Sequence, residues 1–175
     1  MHHPFTISVR GGGFIGLNLA LGLLSRGIPV TVYEQAHELK ELGTGIGFPA
    51  NVKECMEQLD PRIANMLSKI SVRKEQSLQW VDASNTKEDL GLRAKDKLFY
   101  MKLSIDHEHW LCLRSEYLIE LVKLLPEGCL KLGKRLDRLD KQDDSGKPVI
   151  TFTDGSSVVT DAGMLTSLEL YRNTY

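Results

Sequence analysis

The sequence predicts an α/β fold wound about a parallel sheet, and three features predict it. A short β-branched strand runs into a glycine-rich turn and then into a helix that is apolar on nearly every side. A second β-branched strand follows that helix and ends on an acid. Further on, amphipathic helices and strand signals keep alternating, with a β-hairpin pattern late in the chain. A helix apolar around most of its circumference has to be covered on several sides, as the helices of α/β sheets are.

The elements follow in order. Phe5 to Val9 alternates apolar and small polar residues and reads as a strand. Phe14 to Arg26, rich in Leu, reads as the apolar helix, with Gly27 placed to cap it. Ile28 to Tyr33 is the second strand, closed by Glu34. Gly43-Thr44-Gly45-Ile46-Gly47 reads as a glycine-spaced loop. Asn51 is placed to cap a helix reaching about Leu59, and Pro61 to open another short helical turn. Ile70 to Trp80 has the pattern of one or two strands, and the polar stretch Ser84 to Lys97 that of a loop. After Arg114 an amphipathic helix carrying Leu118, Leu121 and Leu125 is stopped by Pro126. Lys134 to Asp140, the turn residues Asp143 to Gly146, and Val149 to Phe152 form a hairpin signal. Asp154-Gly155 then turns into a third strand at Val158-Val159, and the last fourteen residues carry no clear pattern.

Composition narrows the partners. At 175 residues the chain holds one good core, or one domain and part of another. Its 42% hydrophobic and 26% charged residues are those of a folded soluble protein. A net charge of −1, with acids and bases interspersed, argues against a nucleic-acid surface, which needs a basic excess. The three cysteines, Cys55, Cys112 and Cys129, lie far apart and form neither a disulfide framework nor a zinc spacing, as in a reducing compartment. Met1 to Pro4 lacks the features of a secretory signal, and Phe14 to Leu24, interrupted by Asn18, is too short to span a bilayer. The expectation is a cytoplasmic protein with no membrane span and no nucleic-acid partner. Nothing in the pattern sets an oligomeric state.

The chemistry lies in the glycine run. Gly11, Gly13 and Gly16 make a GxGxxG, with Gly12 between the first two, directly after a strand and opening a buried helix. In a Rossmann-like unit the first glycine allows the tight turn, the second lets the backbone approach a pyrophosphate, and the third lets helix and strand pack closely. The helix N-terminus offers unpaired N–H groups and a favourable dipole to phosphate. Glu34, at the end of the second strand, can accept hydrogen bonds from ribose hydroxyls and would repel a 2′-phosphate. A glycine turn in some other α/β sheet is the bland alternative, and the strand–loop–helix–strand context favours nucleotide binding. Arg10 fits less smoothly, because a parallel strand normally carries an apolar side chain there. Either its guanidinium reaches the phosphates, or it burdens the strand with a buried charge.

Four ordered segments, GGGFIGLNLALGLLSRGIPVTVYEQ, ELGTGIGFPANVKECMEQLDPRI, LRSEYLIELVKLLPEG and VITFTDGSSVVTDA, resemble the class A FAD-dependent aromatic monooxygenases. The likeness is to the fungal salicylate hydroxylase type and runs from about Phe5 to Ala162. It implies a glutathione-reductase-type FAD-binding domain, incomplete here, interleaved with part of a β-rich substrate domain. Residues 1–69 would be the FAD-binding βαβ unit and its following helices, and 70–113 part of the substrate-domain insertion. Residues 114–162 would return to the FAD domain, and 163–175 form an atypical tail. The resemblance implies that Gly11, Gly12, Gly13 and Gly16 hold the FAD pyrophosphate and Glu34 the adenosine ribose. It also implies that Gly45 and Gly47 lie along the cofactor and that Arg114 contacts it. Taken alone, Arg114 reads as an exposed helix-start residue in a surface salt bridge. The implied activity is NAD(P)H- and O₂-dependent hydroxylation of a small aromatic molecule.

The likeness stops near Ala162. There the family pattern continues with an apolar strand and a GADG-type motif, whereas this chain reads Gly163-Met164-Leu165-Thr166-Ser167. The later Gly-Asp motif and most of the substrate domain have no counterpart, so the expectation is a truncated N-terminal portion, inactive alone, with no catalytic residue assigned. A non-catalytic nucleotide-binding or interaction protein and an NAD-dependent oxidoreductase are the alternatives. The GTGIGF segment and the Arg114 helix favour the flavoprotein over the dehydrogenase. Asp106-His107-Glu108-His109 lacks further ligands to complete a zinc set, so no metal site is expected. Ser115 and Ser167 have no triad pattern, and Trp80 and Trp110 read as packing residues.

Overall fold

The computed structural model describes residues 5–39, 45–74, 78–81, 99–103, 109–140 and 146–166. β1 (Ile7–Arg10), α1 (Phe14–Leu24) and β2 (Val30–Tyr33) make the opening βαβ unit. β3 (Gly45–Pro49), α2 (Ala50–Leu59), α3 (Pro61–Ile70) and β4 (Val72–Lys74) follow, then β5 (Leu78–Val81), β6 (Phe99–Leu103) and β7 (His109–Leu113). The chain continues through α4 (Arg114–Leu124), β8 (Leu130–Lys131), β9 (Leu136–Asp140), β10 (Val149–Phe152), β11 (Ser157–Val159) and β12 (Ala162–Leu165).

The parallel sheet has the order β12-β1-β2-β8, with Arg10 in register between Tyr33 and Leu165. α1 packs against β2 and α4, and α3 against α4 and α2. Val9, Val32, Leu17, Leu21, Tyr117 and Leu121 are wholly buried between these layers. Burying each such side chain contributes about 1.5–3 kcal/mol, which is what holds the helices to the sheet. Beyond the sheet, Tyr33 meets Phe152 at 4.8 Å between ring centroids. Phe152 belongs to the antiparallel sheet β11-β10-β9, the predicted hairpin with its third strand. A second antiparallel sheet runs β3-β7-β4, and β5 pairs with β6.

Several elements differ from the sequence reading. Gly45 to Gly47 is strand rather than loop, because β7 supplies a partner: Gly45 faces Leu113 and Gly47 faces Leu111. Local pattern cannot show a partner so distant in sequence; Gly43 and Thr44 lie outside the described residues. Pro61 opens a ten-residue helix, not a short turn. The Asp60 carboxylate caps it, accepting the Arg62 backbone N–H at 2.9 Å and the Arg62 guanidinium at 2.6 Å, which holds the carboxyl below its usual range. α2 begins at Ala50 with Pro49 in the cap position, so Asn51 lies inside the helix. α1 ends at Leu24, two residues short of Arg26, and Ile15 in its first turn is 63% exposed.

The start of the tail is the largest departure. Ala162 to Leu165 forms β12, parallel to β1, although Ala-Gly-Met-Leu has no β-branched or aromatic residue and gives almost no strand signal. Asp161 fixes its register: the carboxylate accepts the Thr6 N–H at 2.8 Å and the Thr6 hydroxyl at 2.9 Å, and pairs with Lys147 at 2.7 Å. The Lys147 ammonium and these hydrogen bonds hold the Asp161 carboxyl well below the usual carboxylate range. The expected loop at 84–97 and the tail beyond Thr166 lie outside the described residues. Among the described residues, no helix is long and apolar enough to cross a membrane.

Candidate dinucleotide-binding site

β1 and β2 both end at one edge of the parallel sheet, where α1 begins. A cleft of about 340 Å³ opens there, lined by Gly11, Gly13 and Gly16 of the glycine loop with Arg10, Glu34, Arg114 and Thr166; Gly12 is not in the lining. In α/β sheets the carboxyl edge of the strands is where ligands bind.

The loop's glycines have separate reasons. Gly11 has φ +105°, and its N–H donates to the Tyr33 carbonyl at 2.8 Å, which turns the chain off the strand. At Gly16 any Cβ would fall inside the radius of the Gly11 carbonyl oxygen, so helix and loop can meet only without one. Gly12 donates its N–H to Glu34 Oε2 at 2.6 Å, and a Cβ there would meet the Glu34 side chain at 2.9 Å. Gly13 is different. Its φ is −80°, and a Cβ would meet no protein atom within 4 Å. The space it leaves is on the cleft, at the N-cap of α1, whose first turn has no side-chain cap and no acid. Bare N–H groups with an open approach suit an anion.

Glu34 is held at the end of β2 by both oxygens, Oε2 on the Gly12 N–H and Oε1 on the Ala36 N–H at 2.8 Å. A carboxylate has about four acceptor positions, so each oxygen keeps capacity for a hydroxyl. Arg114, the first residue of α4, reaches the same cleft. Gly45 and Gly47 are not among the residues lining the cleft, although Gly45 pairs with Leu113, next to Arg114.

Thr166 carries no signal in the sequence pattern. Its N–H and hydroxyl both donate to the Arg10 carbonyl, at 3.0 and 2.6 Å, and a Cβ on Gly11 would lie 2.5 Å from its Oγ1. It therefore clamps the strand-to-loop junction. Only recognition of β12 could have found it, and the departure from the family pattern hid that strand.

The helices behind the cleft are tied by a buried polar pair. Tyr117 on α4 donates its hydroxyl to Asn18 Oδ1 on α1 at 3.1 Å, and Asn18 Nδ2 donates to the Phe14 carbonyl at 2.7 Å. The Phe14, Phe48 and Tyr117 rings pack at 5.1–5.5 Å and join α1, β3 and α4. Burial raises the Tyr117 phenol, so it stays a neutral donor. Burial, with Glu116 nearby, pushes the Cys112 thiol up to about 11, so it is no nucleophile at neutral pH. Trp110 is half-buried, with Lys53 Nζ 4.7 Å from its ring centroid. Among the described residues, no group of three or more His, Cys, Asp or Glu side chains could hold a metal. Of the 106–109 run only His109 is described; Ser167 and the Trp80 side chain lie outside.

No family model matches the chain. Curated relatives do. It is 40% identical over 157 residues to the FAD-dependent monooxygenase pigN of Monascus ruber, covering 89% of this chain and 35% of that protein. It is 34% identical over 168 residues to the salicylate hydroxylase asL1 of Sarocladium schorii, covering 91% and 34% respectively. The chain thus spans little more than a third of the length of these relatives, aligned with their N-terminal part. Among solved structures, 2,6-dihydroxypyridine-3-hydroxylase from Arthrobacter nicotinovorans superposes with a TM-score of 0.64 at 22% identity, over 92% of this chain and 36% of that one. Klebsiella pneumoniae HpxO, solved with FAD and uric acid, gives 0.68 at 22% identity, over 91% and 38%. These two likenesses show the fold, and the sequence matches show the kinship.

Proposed function

We propose that this chain, a relative of the FAD-dependent monooxygenases, is an FAD-binding unit whose cleft at the end of β1 and β2 takes the adenosine and pyrophosphate of the cofactor. The observation that carries the reading is Gly13: a position at the N-cap of α1 where a side chain would meet no protein atom, so the space is left for a ligand. The Gly11–Gly16 loop and the α1 N-terminus would hold the pyrophosphate, Glu34 the ribose hydroxyls, and Arg114 a further part of the cofactor. Gly45 and Gly47, on the strand beside Arg114's approach, would border it farther along. In this division residues 1–69 and 114–162 form the FAD unit, and 70–113 belong to a substrate-binding insertion.

Bound FAD would supply the redox chemistry of NAD(P)H- and O₂-dependent hydroxylation of a small aromatic molecule, the activity to which the relatives' names point. The chain's own residues bind and orient the cofactor. A cytoplasmic location fits the free thiols of Cys55, Cys112 and Cys129.

The visible spectrum of the purified chain tests the reading. Flavin absorbance with NADH or NADPH oxidation supports a working enzyme. Flavin without turnover supports a cofactor-binding module. No flavin uptake, with NAD bound in calorimetry, overturns the proposal in favour of a dehydrogenase-type site.

A further inference from the structure

We propose that Arg10 is a phosphate-binding residue of this site: its buried Nη1 finds in the pyrophosphate the acceptor that the folded chain does not provide. The inference rests on the dinucleotide reading above and extends it to a residue at which the glycine motif calls for no charge. Arg10 ends β1, and its carbonyl is held by the N–H and hydroxyl of Thr166, so the base of the side chain is fixed. The side chain lines the cleft beside Gly11 and Gly13. Its Nη1 is buried and has no hydrogen-bond partner.

A buried guanidinium donor without an acceptor is costly, and a strand position of this kind is served better by an apolar side chain. The carboxylate that lines the same cleft, Glu34, accepts from the Gly12 and Ala36 N–H groups and makes no hydrogen bond to Arg10 Nη1. The missing acceptor is therefore an anion from outside. The α1 N-terminus, Arg114 and Arg10 border one cleft, and a guanidinium fork matches phosphate oxygens better than any neutral ring or hydroxyl. Neither adenosine nor the flavin ring carries that charge, so the phosphates are what Arg10 reads.

Two opposite signs test this. With the full chain stripped of flavin, FAD, ADP and adenosine are titrated by calorimetry into wild type, Arg10→Met and Arg10→Lys, and each apoprotein is melted. Arg10→Met should weaken FAD and ADP at least about tenfold and leave adenosine unchanged. Its apoprotein should melt higher than wild type, because a buried donor without an acceptor is replaced by an apolar chain of similar length. Arg10→Lys should lie between, keeping the charge and losing the fork. Equal or tighter FAD and ADP binding by Arg10→Met overturns the proposal. So does a lowered apoprotein melt, or an equal loss for adenosine, since either marks a purely structural arginine. Wild type that binds ADP but not FAD sinks the flavin reading alone, and Arg10 then stands if the Met variant loses ADP. Wild type that binds none of the three overturns both.

Discussion

Two stretches of this chain are written in the same glycine-spaced alphabet and fold in opposite ways. Gly11 to Gly16 leaves a strand, turns through a left-handed residue and starts a helix. Gly45 to Gly47 runs as regular strand, each residue paired with one on β7. The neighbours account for the difference. In the first stretch the Gly11 carbonyl, the Glu34 side chain and Thr166 crowd the positions a Cβ would take. In the second, the nearest atom to a Cβ on Gly45 is the Cys112 carbonyl oxygen at 3.8 Å, and on Gly47 the movable end of Leu111 at 2.8 Å. Glycine spacing by itself does not select a conformation. The first stretch needs glycine for its own backbone, and the second does not.

Within the first stretch, the sharpest test is Gly16→Ala. The added methyl would collide with the Gly11 backbone carbonyl, which cannot rotate away as a side chain can. Overpacking of this kind should cost at least about 3 kcal/mol and displace α1 from β1. Urea denaturation measures it, and a variant as stable as wild type would show that the loop and helix can separate freely.

Gly13→Ala should divide folding from binding. The methyl meets no protein atom and φ is −80°, so the fold should lose no more than about 1 kcal/mol, the difference between glycine and alanine as a helix cap. FAD affinity should fall roughly tenfold, because the methyl occupies the approach of the pyrophosphate. The pair of measurements is a flavin titration beside a melt. Unchanged affinity would place the pyrophosphate elsewhere.

These contrasts also show what the residues alone could tell. The βαβ unit was legible because each of its signals is local: β-branched runs, an apolar helix, a glycine turn and Glu34 lie within one short stretch. The meander β9-β10-β11 was legible for the same reason. β3, β7 and β12 were not, since each is made a strand by a partner far away in sequence, as Ala162 is by Ile7. Of the site, Gly11, Gly13, Gly16, Glu34 and Arg114 come together at one cleft, while Gly12, Gly45 and Gly47 fall outside its lining. Thr166 is invisible in the sequence pattern because its part depends wholly on β12.

β12 holds the first stretch from its far side, and that support has two separable pieces. Thr166→Val keeps the shape and removes the hydroxyl donated to the Arg10 carbonyl, which retains the Thr166 N–H. The loss should be about 1 kcal/mol in denaturant, with weaker flavin binding if the clamp sets the loop. Asp161 supplies the pH-sensitive piece. Its carboxyl is held below the unfolded value of about 3.9, so its contribution is complete above that pH. That contribution is lost as the pH falls further, through the folded value, and the Thr6 and Lys147 bonds go with it. Stability measured against pH should fall more steeply below about pH 4 in wild type than in Asp161→Asn. Parallel curves would mean that the register of β12 is held without this carboxylate.

The smallest effect is expected at Gly45, where the comparison is easiest to break. Gly45 is exposed, its φ is not in the left-handed region, and no atom would oppose a Cβ closer than ordinary contact. A glycine whose backbone alanine can share is a cost paid in the unfolded chain, whose freedom it increases. Gly45→Ala should therefore leave stability unchanged or raise it by up to about 1 kcal/mol. A loss would mean that this stretch, like the first, needs glycine for its own fold. Flavin affinity gives the second reading. If it falls while stability holds, Gly45 borders the cofactor, and the bareness of β3 serves a ligand as that of Gly13 does. If both are unchanged, the cofactor lies wholly over the first stretch, and the two glycine runs differ in purpose as well as in conformation.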